Sequence, residues 1–479
     1  MRLFKIYYIS YILLMILNIG CRKFVELGAP ETLIVTENTY QTDETAIAAM
    51  LGIYTGLSDG EFSPYRIAVF TGAYTDELRT NSTSWRTVYQ NNLLPTGAST
   101  NSIWTAIYKL IYQANAVYEG CNASTTMSGA VKKQLMAEAL FVRGYCHFYL
   151  LNLYGDIPLV TSTDYSVNAT LARTPTSEVY QQIIADLKIA FNDLNVNYVA
   201  SNSVTTSSDR FRANKAAAAA LLARVYLFNN QYAEAEAQTN YVLSNKTSYD
   251  VIDLSAVFLK NSKEAILQLQ KPLPSANNAV TNEGYNFVLT TLPSDGSRGS
   301  STITSQLLNA FDSIDKRKAG WIGKYTDTKT IPATDYYFPY KYKVDASASF
   351  TECSTVLRVA EMYLIRSESR AQQNKLAEAI ADVDVIRKRA GISLVAETNP
   401  TIGKLELLEV ILKERQLELF AEYGHRFFDL KRTGNIDAVM TAIGPSKQSN
   451  WSSYKKAWPI PDSEIGKNAK IMQNVGYTN

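Results

Sequence analysis

Residues 130–154 limit what this chain can become more than any other stretch. From Leu140 to Leu153 apolar side chains fall on nearly every face of a helical repeat. A helix of that kind must bury itself on several sides, at the centre of a helical assembly. Tyr154-Gly155-Asp156-Ile157-Pro158 then supplies a Gly-then-Pro stop. Helices able to cover it are written nearby. Residues 43–58 set Ala46, Ile47, Met50, Leu51 and Tyr54 at three-to-four spacing, and residues 101–119 do the same with Ile103, Trp104, Ile107, Tyr108, Ile111 and Ala114. Thr174-Pro175 reads as the N-cap and first residue of a helix running to about Leu194. Helix is expected again at 355–390 and 402–422.

Two stretches repeat one another. Ala216–Leu243 contains Asn230-Gln231-Tyr232-Ala233-Glu234-Ala235, and residues 357–390 contain Asn374-Lys375-Leu376-Ala377-Glu378-Ala379. In each, a long helix meets a short polar turn and Ala-Glu-Ala opens a second helix. This is the turn of a tetratricopeptide-like hairpin, where small residues let paired helices approach closely. The fold class expected is therefore α: a scaffold of helical hairpins carrying a loop-rich part with a few short strands.

That loop-rich part is residues 245–350. Glu264 to Gln270 alternates like a short strand, Val280–Ser301 reads as loop, and residues 321–345 hold Trp321, Tyr325, Tyr336, Tyr337, Phe338, Tyr340 and Tyr342. Long loops inside a helical chain commonly carry function. The organisation expected is a leader at 1–20 and one integrated domain from 21 to 479, divided into helical 21–244, variable 245–350 and helical 351–479.

Composition narrows the function classes. The 479 residues are 46% hydrophobic and 19% charged, which suits a folded chain. Net charge is +2 and the longest basic run is Lys316-Arg317-Lys318, so nothing points to nucleic acid. With only His147 and His425, in no metal-ligand spacing, a zinc site or a histidine relay has no basis. No phosphate-binding, dinucleotide-binding or Gly-x-Ser-x-Gly motif is present, and no cofactor is expected. Cys146 sits in the apolar central run and reads as a small core residue. Arg2 and Lys5 precede the apolar stretch Tyr7–Ile19, which is too short to span a bilayer of about 30 Å. It ends at Leu17-Asn18-Ile19-Gly20-Cys21, the pattern of a leader cleaved before a cysteine that then carries acyl chains.

Five ordered stretches resemble the SusD/RagB family of nutrient-binding lipoproteins: the leader with Cys21; Ala137-Glu138-Ala139 through Arg143-Gly144-Tyr145 to Gly155-Asp156-Ile157-Pro158; Lys215 to Tyr226; Leu357 to Glu361 with Arg387-Lys388-Arg389-Ala390-Gly391; and Glu414-Arg415 through Gly424-His425-Arg426-Phe427-Phe428-Asp429 to Pro459-Ile460-Pro461 and Gly476-Tyr477. They cover nearly the whole chain. The resemblance implies four tetratricopeptide-like hairpins, a loop-rich ligand site on one face, and a surface position in the outer membrane held by lipid. It also implies a partner, a SusC-like TonB-dependent β-barrel importer beneath the protein, and a glycan or in some members a peptide as ligand.

Within that frame the expected ligand contacts are Arg79, Asn81 and Trp85 in the first loop, and Tyr285, Asn286, Trp321 and Tyr325 in the variable part, with flat rings to stack on sugars; the alternative for Trp321 is a core cap after the Asp315–Lys318 turn. Trp104 and Trp458 are excluded: the first lies on an apolar helical stripe, and the second precedes Pro459-Ile460-Pro461. Asp76-Glu77 reads as either a ligand-contacting segment or a plain surface loop. Glu414, Arg415, Glu418, Glu422, Arg426 and Asp429 form the richest charged set. Pairing at three-to-four spacing makes them a structural network; a carboxylate pair among them would make a glycan hydrolase. Glu138 and Arg143, in the apolar helix, must be paired pins. Three readings follow: a binding lipoprotein that is not an enzyme, a surface hydrolase, or a scaffold that binds proteins alone.

Overall fold

The computed structural model describes residues 39–272, 278–296 and 298–477. The leader and Cys21 lie outside the described residues. The helical scaffold comprises α1 (Asp43–Ser58), α2 (Pro64–Tyr74), α3 (Ala98–Ala123), α4 (Gly129–Tyr154), α5 (Thr176–Asp193), α6 (Lys215–Phe228) and α7 (Tyr232–Leu243), then, after the variable part, α8 (Val359–Gln372), α9 (Leu376–Ala390), α10 (Lys404–Glu418), α11 (His425–Arg432) and α12 (Ile436–Lys447). Each helix packs on the next from α3 through α9, and α10 lies across α8 and α9.

The central position expected of α4 is observed. Every residue from Ala137 to Tyr154 is buried. In α6 every residue from Ala216 to Phe228 is buried, and its run of alanines lets neighbours close in. Burying one large apolar side chain contributes about 1.5–3 kcal/mol, so these two helices carry much of the core. The two charged residues of its apolar half are paired. Glu138 accepts from Arg212 at 2.8 Å and from Gln134 at 2.7 Å; Arg143 holds both oxygens of Asp186 at 2.7 Å.

The two repeated turns share one geometry. Asn230 and Asn374 both adopt left-handed backbone, φ 57° and 62°. Gln231 N–H reaches back to Tyr226 O, and Lys375 N–H to Arg370 O. Asparagine tolerates this conformation and closes the helix behind it. Ala235 and Ala379, one turn into the following helices, are fully buried. The α6–α7 and α8–α9 pairs are thus built alike, as the sequence repeat requires.

Several boundaries differ from expectation. Helix α5 starts at Thr176, because Thr174 is bridged to Ile157 and Asp156 caps the helix, accepting from Thr176 N–H at 2.9 Å and its hydroxyl at 2.8 Å. Residues 354–358 are strand, and helix starts at Val359. Helix α10 ends at Glu418, since Ala421, Tyr423 and Gly424 all have positive φ. The strands form three antiparallel pairs: β1 (Leu78–Thr80) with β3 (Ser301–Ile303), β2 (Ala265–Leu269) with β6 (Ser354–Arg358), and β4 (Ile322–Asp327) with β5 (Thr334–Pro339). Strand β2 is buried at every position, with α1 and α6 packed against it. The tyrosine-rich stretch expected to be loop is the β4–β5 hairpin, in keeping with the fit of aromatic residues to a pleated surface.

Candidate functional site

The site begins at α2. Gly72 leaves space that Leu78 fills; a Cβ on Gly72 would lie 2.9 Å from the Leu78 side chain. Leu78 is fully buried there, so the alternation of a strand turns Arg79 outward. Arg79 pairs across the ladder with Thr302 of β3, and β3 lies against β5 of the hairpin. The chain after β1 turns through Thr83–Trp85 and Arg86–Tyr89, and the end of α12 brings Ser446, Lys447 and Gln448 alongside.

Together these segments enclose a two-lobed cleft. One lobe, about 370 Å³, is lined by Arg79, Asn81, Ser82, Arg86, Gln90 and Gln448 among others. The other, about 400 Å³, is lined by Thr302, Thr304, Gln306, Asp335, Tyr336 and Tyr337 among others. Arg79, Tyr89 and Ser446 belong to both. Tyr89 is held from below: the buried Lys447 ammonium lies 4.9 Å from its ring and donates to the carbonyls of Ala73 and Thr75 at 2.7 and 2.6 Å. Removal from water pushes the Lys447 ammonium pKa down to about 7. Asp335, the one carboxylate lining either lobe among the described residues, is engaged by Thr326 at 2.6 Å and Lys324 at 3.3 Å.

Behind the cleft the acidic residues are structural. Asp76 is buried and accepts from Arg426 at 2.7 and 2.9 Å, so the Asp76-Glu77 segment is neither ligand contact nor surface loop. Glu77 is buried beside it, and removal from water, reinforced by the Asp76 charge, raises its pKa to about 8. Thr304 N–H donates to Glu77 O at 3.0 Å, which fixes β3 on this floor.

The charged set at the end of α10 is a network, as expected, but its pairs are not the helical ones. Arg415 pairs with Asp429 at 2.8 Å. Glu418 binds Arg358 at 2.6 Å, Arg317 at 3.1 Å and also Arg389. Glu422 binds Arg358 at 2.8 Å and also Lys341, while Arg426 goes to Asp76. The cause is the left-handed run at Ala421–Gly424, which takes Glu422 off the helix and removes its three-to-four relation to Arg426.

Residues 35–227 match a SusD-like family described as starch-binding and associating with the outer membrane, and residues 260–477 match the SusD family. The chain belongs to the SusD family. Within it, SusD-like protein P2 of Formosa agariphila is 26% identical over 523 aligned residues, covering 99% of this chain and 100% of that protein. Starch-binding protein SusD of Bacteroides thetaiotaomicron is 31% identical over a shorter stretch, 26% of this chain and 21% of that protein. A SusD superfamily structure from Bacteroides vulgatus superposes with a TM-score of 0.77 at 18% identity, over 91% of this chain and 100% of that one. A laminarin-binding SusD-like protein does so with 0.74 at 21%, over 91% and 99%. These superpositions establish the SusD-family fold.

Against that fold, the residues expected to touch ligand divide. Arg79 and Asn81 line the cleft. Tyr325 stands opposite Tyr336 in the hairpin ladder, outside the lining of either lobe. Trp85 is half-buried, edge-on to Phe70 at 5.4 Å with the Arg66 guanidinium 5.4 Å from its ring. Tyr285 is outside the lining of either lobe, 4.7 Å from Arg298. Asn286 serves its own turn, donating to Asn282 O at 2.7 Å and accepting from Gly299 N–H at 2.8 Å. Trp321 is not a ligand contact but takes its core reading: it is fully buried, donates to Leu254 O at 3.1 Å, and lies 4.8 Å from the Lys341 ammonium and 5.4 Å from the Arg389 guanidinium. It cannot offer a face to a ligand. Tyr89, Arg86, Gln306, Asp335, Tyr336, Tyr337 and Ser446–Gln448 were not expected at the site. The adjacent tyrosines of β5 were the one signal available, and both line the second lobe.

Proposed function

We propose that this protein is a cell-surface lipoprotein that holds nutrient glycan in the two-lobed cleft and delivers it to a TonB-dependent β-barrel importer without altering it. The observation that carries this reading is the convergence of Tyr89, Tyr336 and Tyr337 with Arg79, Asn81 and Gln306 in one open cleft. Phenol rings with polar tips suit sugar faces, and convergent polar groups suit their hydroxyls. The family description, starch-binding and associating with the outer membrane, and a relative bound to laminarihexaose support the same ligand class. The hydrolase reading has less to rest on. Glycosidases need two carboxylates across the scissile bond, and Asp335, the carboxylate that lines this cleft, is already held by Lys324 and Thr326.

The test is a screen of purified protein against glycans and peptides, with reducing-end release monitored. Glycan binding without product is expected. Steady product release that disappears in Asp335→Asn, or binding of peptides alone, contradicts the proposal. In cells, Cys21→Ala is expected to abolish acyl labelling and free the protein from the membrane fraction. Solubilised membranes are expected to yield a complex with a large β-barrel protein.

A further inference from the structure

We infer that the first lobe of the cleft takes an anionic substituent, a sulfate ester or a uronate carboxylate, carried by the bound glycan. The inference rests on the reading of this cleft as the glycan site and names the class of glycan.

The arginines of this protein are used almost without exception inside the fold. Every described arginine other than Arg79 and Arg86 donates a side-chain hydrogen bond to a carboxylate, a carbonyl or another side-chain oxygen. Among the described residues Arg79 and Arg86 alone have guanidinium groups with no such partner, both are exposed, and both line the same lobe. The remaining lining is neutral or basic: Asn81, Ser82, Gln90, Gln448 and the stem of Lys447, with no carboxylate. The acids nearby are occupied. Asp295, close enough to Arg86 to feel its charge, accepts from Thr83 N–H at 2.5 Å and its hydroxyl at 2.7 Å. Asp76 belongs to Arg426. A guanidinium presents a planar fork of N–H donors that fits two oxygens of a sulfate or carboxylate at once. Two such forks in one lobe whose lining holds no carboxylate, with Asp295 beyond that lining offsetting part of the Arg86 charge, raise the local concentration of an anionic chain. The second lobe shares Arg79 but lacks Arg86; Tyr336, Tyr337, Thr302 and Gln306, with Asp335 paired to Lys324, suit an uncharged sugar.

Calorimetric titration of the full mature protein tests this with a sulfated galactan oligosaccharide, its chemically desulfated counterpart, an oligogalacturonate, laminarihexaose and a polyglutamate peptide. Tighter binding of the sulfated than the desulfated oligosaccharide, by about tenfold, assigns sulfate; the same preference for oligogalacturonate over laminarihexaose assigns carboxylate. Either preference should shrink as salt screens it. It should also fall about tenfold in Arg86→Gln, with part restored in Arg86→Lys. Equal affinity for charged and neutral glycans, or a preference unmoved by Arg86→Gln, overturns this inference and leaves glycan binding standing. Binding of none of the glycans, or of polyglutamate alone, overturns the underlying reading of the cleft as well.

Discussion

Arg358 and Arg86 carry the same guanidinium and use it in opposite ways. Arg358 is buried, donating to Glu264 at 3.0 Å, Glu418 at 2.6 Å and Glu422 at 2.8 Å, within a cluster that also takes in Arg317 and Arg389. Arg86 is exposed in the cleft and bound to nothing in the protein. Removing an ion from water costs several kcal/mol and is offset only by partners in good geometry. The buried cluster therefore fixes how the C-terminal helices, β2 and β6 sit together, and its burial keeps it from a ligand. The cleft arginines stay solvated at little cost and remain available. Density of charge marks the scaffold in the Glu414–Asp429 stretch; exposed arginines without a protein partner mark the candidate site.

Four substitutions break or sharpen that contrast. Arg358→Met leaves Glu264, Glu418 and Glu422 without a shared cation and should destabilise by about 3–5 kcal/mol in denaturant melts. A cost below 1 kcal/mol would show that Arg389, Arg317 and Lys341 suffice. Trp321→Ala should cost about 3–5 kcal/mol through the cavity it leaves, with ligand affinity of the folded protein unchanged. Lost affinity at full stability would restore Trp321 to the site. Glu77→Gln concerns the floor and depends on pH. Burial raises the folded-state pKa from 4.5 to about 8, so the protonated form is the one the fold favours. Wild-type stability from this group is present below pH 4.5 and is lost as pH rises towards 8. The variant, neutral throughout, should match wild type at low pH and exceed it by on the order of 1–3 kcal/mol above pH 8. A constant difference across that range contradicts the assignment. Tyr89→Ala should weaken glycan binding by about 1–2 kcal/mol and move the melting temperature little, since Tyr89 is half-buried at the cleft wall.

The scaffold was legible because helical periodicity and turn chemistry are local. Asn230 and Asn374 stand in the same left-handed turn, and Ala137–Tyr154 is buried as its composition demands. Family membership was legible for a related reason, the order of short stretches along the whole chain. The candidate site was legible only in its first loop. Arg79 and Asn81 are there, yet their neighbours come from Thr302–Gln306, the β5 tyrosines and the end of α12, and no periodicity reports that meeting. Trp321 misled because it sits in a stretch rich in Ser, Thr and Gly; its burial is decided by Leu254, Phe258 and Lys341, all distant in sequence. Asp76 misled in the same way, its partner Arg426 lying at the other end of the chain.

Hydrogen–deuterium exchange with and without a bound glycan tests the central claim most directly. If the two-lobed cleft is the ligand site, glycan should slow exchange in three separated segments at once: residues 79–90, residues 302–306 with the β5 strand, and residues 446–448. The surface around Tyr285 and the buried cluster at Glu418 should be unaffected. Protection confined to the Tyr285 surface, or to the first segment without the other two, would contradict the account.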